Sequence, residues 1–360
     1  TAVPSSLLKP PLPKTAMLVI SLAHNKLTSI PRAFCSAFPN LQILDLRHNE
    51  LTAAPVDLHL CPKLDSLLLG FNKLPYVDWM VCQAVKLRTL DVSGNALTVD
   101  DIPDALSRLT ALTTLHLEDN KLSAIPPALY SLVNLQHLNL SGNSIDYFDA
   151  DIKAMTGLRS LNLSRNGFHK LPPMLCRITS LVRLDLNGNE LTGDGISLSM
   201  RYLTNLEVLS LSNNKLETVP RALFICSSLV KLDLSYNGLK TVPSAVYKLT
   251  KLKNLNVTGN PEFVMPRRRE VPAGYFTVDE EHLKHIIVTQ KEKLAAKAAR
   301  NRTRRAAALR GGASGVLDAK SEAAMLGARR RAAALSSTSA AAFVSAMAAN
   351  TNHQSIDFDD

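Results

Sequence analysis

Aromatic side chains are scarce in this 360-residue chain: phenylalanine, tyrosine and tryptophan make up 5%, and Trp79 is the only tryptophan. A core centred on a few large rings is thereby excluded, and aliphatic side chains must fill the interior. No apolar run reaches the ~18 residues a membrane-spanning helix needs, so no membrane insertion is expected. Cysteine is limited to Cys35, Cys61, Cys82, Cys176 and Cys226. An odd number without paired spacing does not describe a disulfide framework and favours a reducing compartment. Missing too are glycine-rich phosphate loops, the Gly-x-Ser-x-Gly nucleophile turn, His-Glu-x-x-His and paired Cys-x-x-Cys. His24, His48, His116, His137 and His169 read as scattered over different positions without ligand spacing. No catalysis, cofactor or metal is therefore expected.

What the chain has in abundance is leucine at fixed intervals. The pattern Leu-x-x-Leu-x-Leu-x-x-Asn-x-Leu occurs eleven times, and its asparagines, from Asn25 to Asn260, are 23 to 25 residues apart. Leu112 to Leu122 is a clean copy, as are Leu135 to Ile145 and Leu181 to Leu191. The Leu-x-Leu centre alternates, which predicts a short strand with one buried face. A lone strand of this kind buries too little, whereas stacked copies bury a continuous core. Each asparagine carries donors and an acceptor, suited to backbone groups left bare where the chain leaves the strand. All eleven are therefore read as structural. Most copies continue into an apolar–proline step, such as Ile125-Pro126 or Val219-Pro220, predicting a helical turn that starts at the proline.

With this period and proline step, residues 16–260 resemble the intracellular Ras-group and Scribble-type leucine-rich-repeat proteins. The resemblance implies an α/β leucine-rich-repeat solenoid, a curved parallel β-sheet with short convex helices, followed by a C-terminal helical or disordered tail. Extracellular members of this repeat class usually carry cysteine-rich end caps, and neither end shows one. Residues 1–13 lack a charged region followed by an apolar one. A cytoplasmic location is expected, with an organelle after presequence removal left open.

Strand residues that point away from the leucines form the concave face. Its basic members are Arg47, Arg88, Arg159, Arg165, Arg183, Lys231 and Lys253; its acidic ones are Asp45, Asp65, Asp91, Glu118, Asp119, Asp185, Glu207 and Asp233. Seven against eight is a balanced surface, which argues against nucleic acid there and suits a protein partner. Many strands end in small pairs such as Ser93-Gly94 or Ser141-Gly142. The protruding exceptions Arg47, His48, Phe71, Glu118, Asp119, Arg165 and Tyr236, with Arg88, Arg159 and Arg183, are the candidate partner contacts. The acids Asp100, Asp101 and Asp104 read as an acid-rich helix start. Trp79 reads as a core filler.

Four segments follow: a proline-containing lead-in (1–15), eleven repeats (16–260), a capping segment with a basic helix (261–310), and an Ala/Ser-rich low-complexity tail (311–360). Thr277 and Glu280 form a capping-box pattern, and Leu283 and Ile287 would close the open end of the repeats. Beyond them stand Lys291, Lys293, Lys297, Arg300, Arg302, Arg304, Arg305 and Arg310 against a single acid, Glu292. This block suits RNA or another acidic surface. The expected function is a non-catalytic scaffold or adaptor binding protein on its concave face. The alternative is a structural subunit of a ribonucleoprotein or cytoskeletal assembly, anchored by the tail.

Overall fold

The computed structural model describes Val3, residues 16–264 and Phe276–Thr277; the rest of the lead-in, residues 265–275 and the tail beyond Thr277 lie outside the described residues. Each Leu-x-Leu centre forms a three-residue strand: β1 (Val19–Ser21), β2 (Ile43–Asp45), β3 (Ser66–Leu68), β4 (Thr89–Asp91), β5 (Thr114–His116) and β6 (His137–Asn139). The series continues with β7 (Ser160–Asn162), β8 (Arg183–Asp185), β9 (Val208–Ser210), β10 (Lys231–Asp233) and β11 (Asn254–Asn256). All pair in parallel with their sequence neighbours, in the order of the chain. The middle residues stack in one register, so that Leu115 faces Leu138, which faces Leu161 and then Leu184. These leucines are buried to 2% exposure or less, and truncating one to alanine costs about 2–5 kcal/mol.

Opposite the strands the chain returns through short turns. One is a five-residue α-helix, α1 (Ala33–Ala37); the others are 3-10 turns such as Pro127–Ser131 and Arg221–Ile225. Side chains three apart eclipse in a 3-10 turn, and the buried pairs here are three apart: Leu106 with Leu109, Leu129 with Leu132, Ile152 with Met155, Leu223 with Cys226. The spacing of apolar residues thus selects the tighter helix. Proline stands one position earlier than expected. Pro103, Pro126, Pro220 and Pro243 occupy the cap position in extended backbone, just before the turn. Asp101 caps Thr98 by accepting its N–H at 2.8 Å and its hydroxyl at 2.7 Å, which makes the acid-rich segment a helix start.

The asparagine column locks one repeat to the next. Asn143 Nδ2 donates to Leu140 O (3.0 Å) and Ser141 O (3.3 Å) in its own repeat and to Leu117 O (3.0 Å) in the preceding one. Its Oδ1 accepts the Leu122 N–H at 3.0 Å. The same set recurs at Asn49, Asn72, Asn189, Asn237 and Asn260. Asn25, in the first repeat, makes only the bonds to its own repeat. The sheet also runs one strand further than the eleven repeats. Phe276–Thr277 form β12, paired in parallel with Leu255 and Asn256. Thr277, read as the cap of a helix, is therefore in a strand, while Leu283, Ile287 and the basic block from Lys291 to Arg310 lie outside the described residues.

Candidate functional site

The residue just before each repeat asparagine is in the left-handed region in all eleven repeats, with φ between 50° and 67°. Four are glycine and seven are not: His24, His48, Phe71, Asp119, Arg165, Asn213 and Tyr236. Left-handed backbone costs an L-residue about 1–2 kcal/mol, so these side chains are held out at the strand ends at the expense of local strain. Their environment is specific. The His24 and His48 rings stack at 4.3 Å, and His48 stacks on Phe71 at 4.6 Å with 6° between planes. The Phe71 ring then lies over Gly94, where an added Cβ would be 2.5 Å from its Cδ1. Tyr236 lies over Gly259 in the same way. Phe71 remains 41% exposed and Tyr236 58%. The histidines are thus not scattered: His24 and His48 share one repeat position, a signal that aligning each residue before the asparagine would have revealed.

At several charged candidates cation and anion meet. Arg47 donates from Nε and from a terminal nitrogen to the two Asp45 oxygens, each at 3.0 Å. Burial pushes the Asp45 carboxyl upward, but the hydrogen bonds from Arg47 outweigh it and hold the group below its usual range. Arg88 stands 3.5 Å from Asp65. Arg165 spans a repeat to reach Asp119 at 2.9 Å. His116 Nδ1 is 3.5 Å from Glu118 Oε1. The hydrogen bond to Glu118 raises the His116 imidazole above its usual value despite burial. The other Glu118 oxygen, Oε2, is buried and unpartnered. Arg159, just before β7, and Arg183, the first residue of β8, are exposed as well.

Four of the eight strand-face acids also serve the local fold. Asp45, Asp91, Asp185 and Asp233 turn back to accept backbone N–H groups two residues on, from Arg47 (3.1 Å), Ser93 (2.9 Å), Asn187 (2.8 Å) and Ser235 (2.8 Å). Asn139, Asn162 and Asn256 do the same for Ser141, Ser164 and Thr258. An Asp or Asn two residues before the strand exit is thus a turn device. Half of the eight acids are engaged in this way. Burial also raises the Asp185 carboxyl. Trp79 is a correction. Its indole is 56% exposed, because Val77, Val81 and Cys82 already fill the interior of that repeat. Among the described residues no group of three or more His, Cys, Asp or Glu is placed to hold a metal ion, and no helix is long and apolar enough to cross a membrane.

A leucine rich repeat family model matches residues 17–74, 85–145 and 201–261, and further repeat models match 157–178 and 177–198. The chain belongs to the leucine-rich repeat family. A flightless-1 homolog of Caenorhabditis elegans is 44% identical over 190 residues, covering 52% of this chain and 15% of that protein. Podocan-like protein 1 of Mus musculus is 34% identical over 268 residues, covering 70% of this chain and 46% of that one. The leucine-rich repeat chain thus spans less than half of either relative. The crystal structure of an internalin from Listeria monocytogenes superposes with a TM-score of 0.52 at 19% identity, over 76% of this chain and 85% of that one, a likeness of fold.

The comparisons fit the repeat family at large and do not single out an intracellular class. They overturn the expected cytoplasmic location. Relatives including osteomodulin and the leucine-rich repeat-containing G-protein coupled receptor 5 of Rattus norvegicus, and opticin of Bos taurus, are secreted or membrane proteins. The expectation rested in part on unpaired cysteines, yet all five are buried. Cys61 and Cys226 occupy apolar positions of the turns, where the Cys226 thiol is pushed up to about 11 by burial. Cysteine acting as a small apolar filler is indifferent to compartment. Leucine-rich repeats are typically non-catalytic interaction modules, and protein binding is the role this fold suggests.

Proposed function

We propose that the protein is a binding scaffold or adaptor that engages a protein partner on its strand face. The observation that carries this reading is the pair Phe71 and Tyr236, exposed aromatics at equivalent strand-end positions, each fixed over a glycine of the next repeat. Exposed aromatic rings are enriched among interface anchors. Here their orientation is set before any partner arrives, so little freedom is lost on docking. The backbone beneath them is satisfied by the asparagine and aspartate columns. Arg47 and Arg165, already paired with acids of their own face, would frame these anchors.

The test is affinity capture with the full chain beside two variants of matched composition. One carries Phe71→Ala and Tyr236→Ala on the strand face; the other carries Trp79→Ala and Tyr147→Ala, exposed aromatics outside the strands. Partners lost from the first and retained by the second support the reading. Equal recovery by both would overturn it.

A further inference from the structure

The geometry points to Cys35 and Cys61 as a disulfide-forming pair, a modification site that ties the first repeat to the second when a disulfide oxidant is present. Cys35 lies in α1, and Cys61 directly follows the next turn, Leu58–Leu60, which packs against α1. The Cys61 thiol points back across the repeat boundary: its Sγ is 3.5 Å from the Cys35 carbonyl oxygen and 3.6 Å from that of Phe38. The two thiols also share a hydrogen bond. Both are free, and both are sealed from solvent, at 0% and 3% exposure. Thiols in hydrogen-bond contact on facing turns meet the first requirement of a disulfide, side chains directed at each other. The other three cysteines differ. Cys82 is on the third turn, where burial pushes its thiol up to about 11. Cys176 and Cys226 belong to the seventh and ninth repeats, with the turn Leu198–Tyr202 between them. Two strand spacings are about 9.6 Å, beyond the ~7 Å between α-carbons that a disulfide tolerates.

The pair is asymmetric. The hydrogen bond from Cys35 lowers the Cys61 thiol against the effect of burial; the same bond, with burial added, raises Cys35. Cys61 is therefore the thiolate that attacks. Its sulfur bonds to one half of oxidised glutathione, and the other half leaves as a thiolate and takes up the proton that Cys61 released. Once Cys61 is a mixed disulfide it carries no charge, and Cys35 ionises and attacks its sulfur. The Cys35–Cys61 bond forms, the second glutathione leaves with the Cys35 proton, and the oxidant has accepted both electrons. Access comes from the end of the sheet. Among the described strands β1 pairs with β2 alone, Asn25 bonds only within its own repeat, and Leu18 and Val19 are exposed. Terminal repeats open more readily than interior ones. Opening the first repeat uncovers Cys61 beneath Cys35 and Phe38, and closing the bond then holds that repeat in place.

The test treats the full chain with oxidised glutathione at mildly alkaline pH, without denaturant, and reads intact mass and non-reduced peptide maps. The parent is expected to lose two hydrogens and to give one linked peptide pair, joining Cys35 to Cys61. Cys35→Ser is expected to stop at a glutathione adduct on Cys61, with Cys82, Cys176 and Cys226 still free. Unfolding cannot give that pattern, because it exposes every thiol alike. Trypsin cleavage after Arg32 is expected to slow about tenfold or more in the oxidised parent and to recover on reduction. A parent that keeps both hydrogens, a bond at another pair, or a bond formed only in urea would each overturn the proposal. So would an oxidised chain cleaved after Arg32 as fast as the reduced one.

Discussion

Asn143→Ala is expected to destabilise the protein by about 2–5 kcal/mol, far more than the methylene-scale change it makes in volume. The side chain joins four buried backbone groups: the Leu122 N–H and the carbonyls of Leu117, Leu140 and Ser141. Alanine reaches none of them, and water cannot replace it, because Asn143 is 9% exposed. A buried donor without a partner costs about 1–3 kcal/mol. The carbonyls add less apiece, since the amide has two protons to share among three of them. Asn25→Ala is the internal comparison, because its bonds to Leu22 O and Ala23 O are exposed. Water can take over there, and the expected loss is under about 1 kcal/mol. Urea denaturation followed by circular dichroism gives both values, and amide exchange at Leu122 should accelerate in Asn143→Ala alone. Losses within about 0.5 kcal/mol of each other would refute the reasoning.

Three further outcomes are expected. Gly94→Ala should cost about 1–3 kcal/mol in thermal or urea melts, from the strain of φ +58° and the contact with Phe71, whereas Gly167→Ala, with nothing nearer than 3.9 Å, should stay within about 0.5 kcal/mol. NMR titration should place His116 above and His137 below the ordinary imidazole value of about 6.5. The stability His116 contributes is complete below that value and is lost as pH rises through its folded pKa; the contribution of neutral His137 is lost as pH falls from about 6.5 through its own. Arg165→Ala, which breaks an exposed pair with Asp119, should change stability by no more than about 1 kcal/mol by urea melt.

The parallel sheet, the eleven strands and the structural role of the asparagines were legible because their signal is periodic. A leucine or asparagine recurring every 23 to 25 residues constrains its own environment, and the structure adds only the atoms it meets. Much of the strand face was not legible in this way. An aspartate at an outward position, such as Asp185 or Asp233, looks like surface charge until the N–H two residues on is seen to claim it. Trp79 shows the converse. Size suggested the interior, but its repeat was already filled by Val77, Val81 and Cys82. Phe71 and Tyr236 were visible as exceptions to a small-residue pattern; that each is seated on the glycine of the next repeat depends on register across the sheet. Location was misjudged in part because buried thiols carry no information about compartment.

Hydroxyl-radical footprinting of the full chain, free and bound to a captured partner, tests the docking face most directly. Phe71 and Tyr236 are exposed on the strand face, and Trp79 and Tyr147 are comparably exposed outside the strands. The partner is expected to shield Phe71 and Tyr236 from oxidation while Trp79 and Tyr147 react as in the free protein. Shielding of Trp79 or Tyr147, with Phe71 and Tyr236 still reactive, would contradict it.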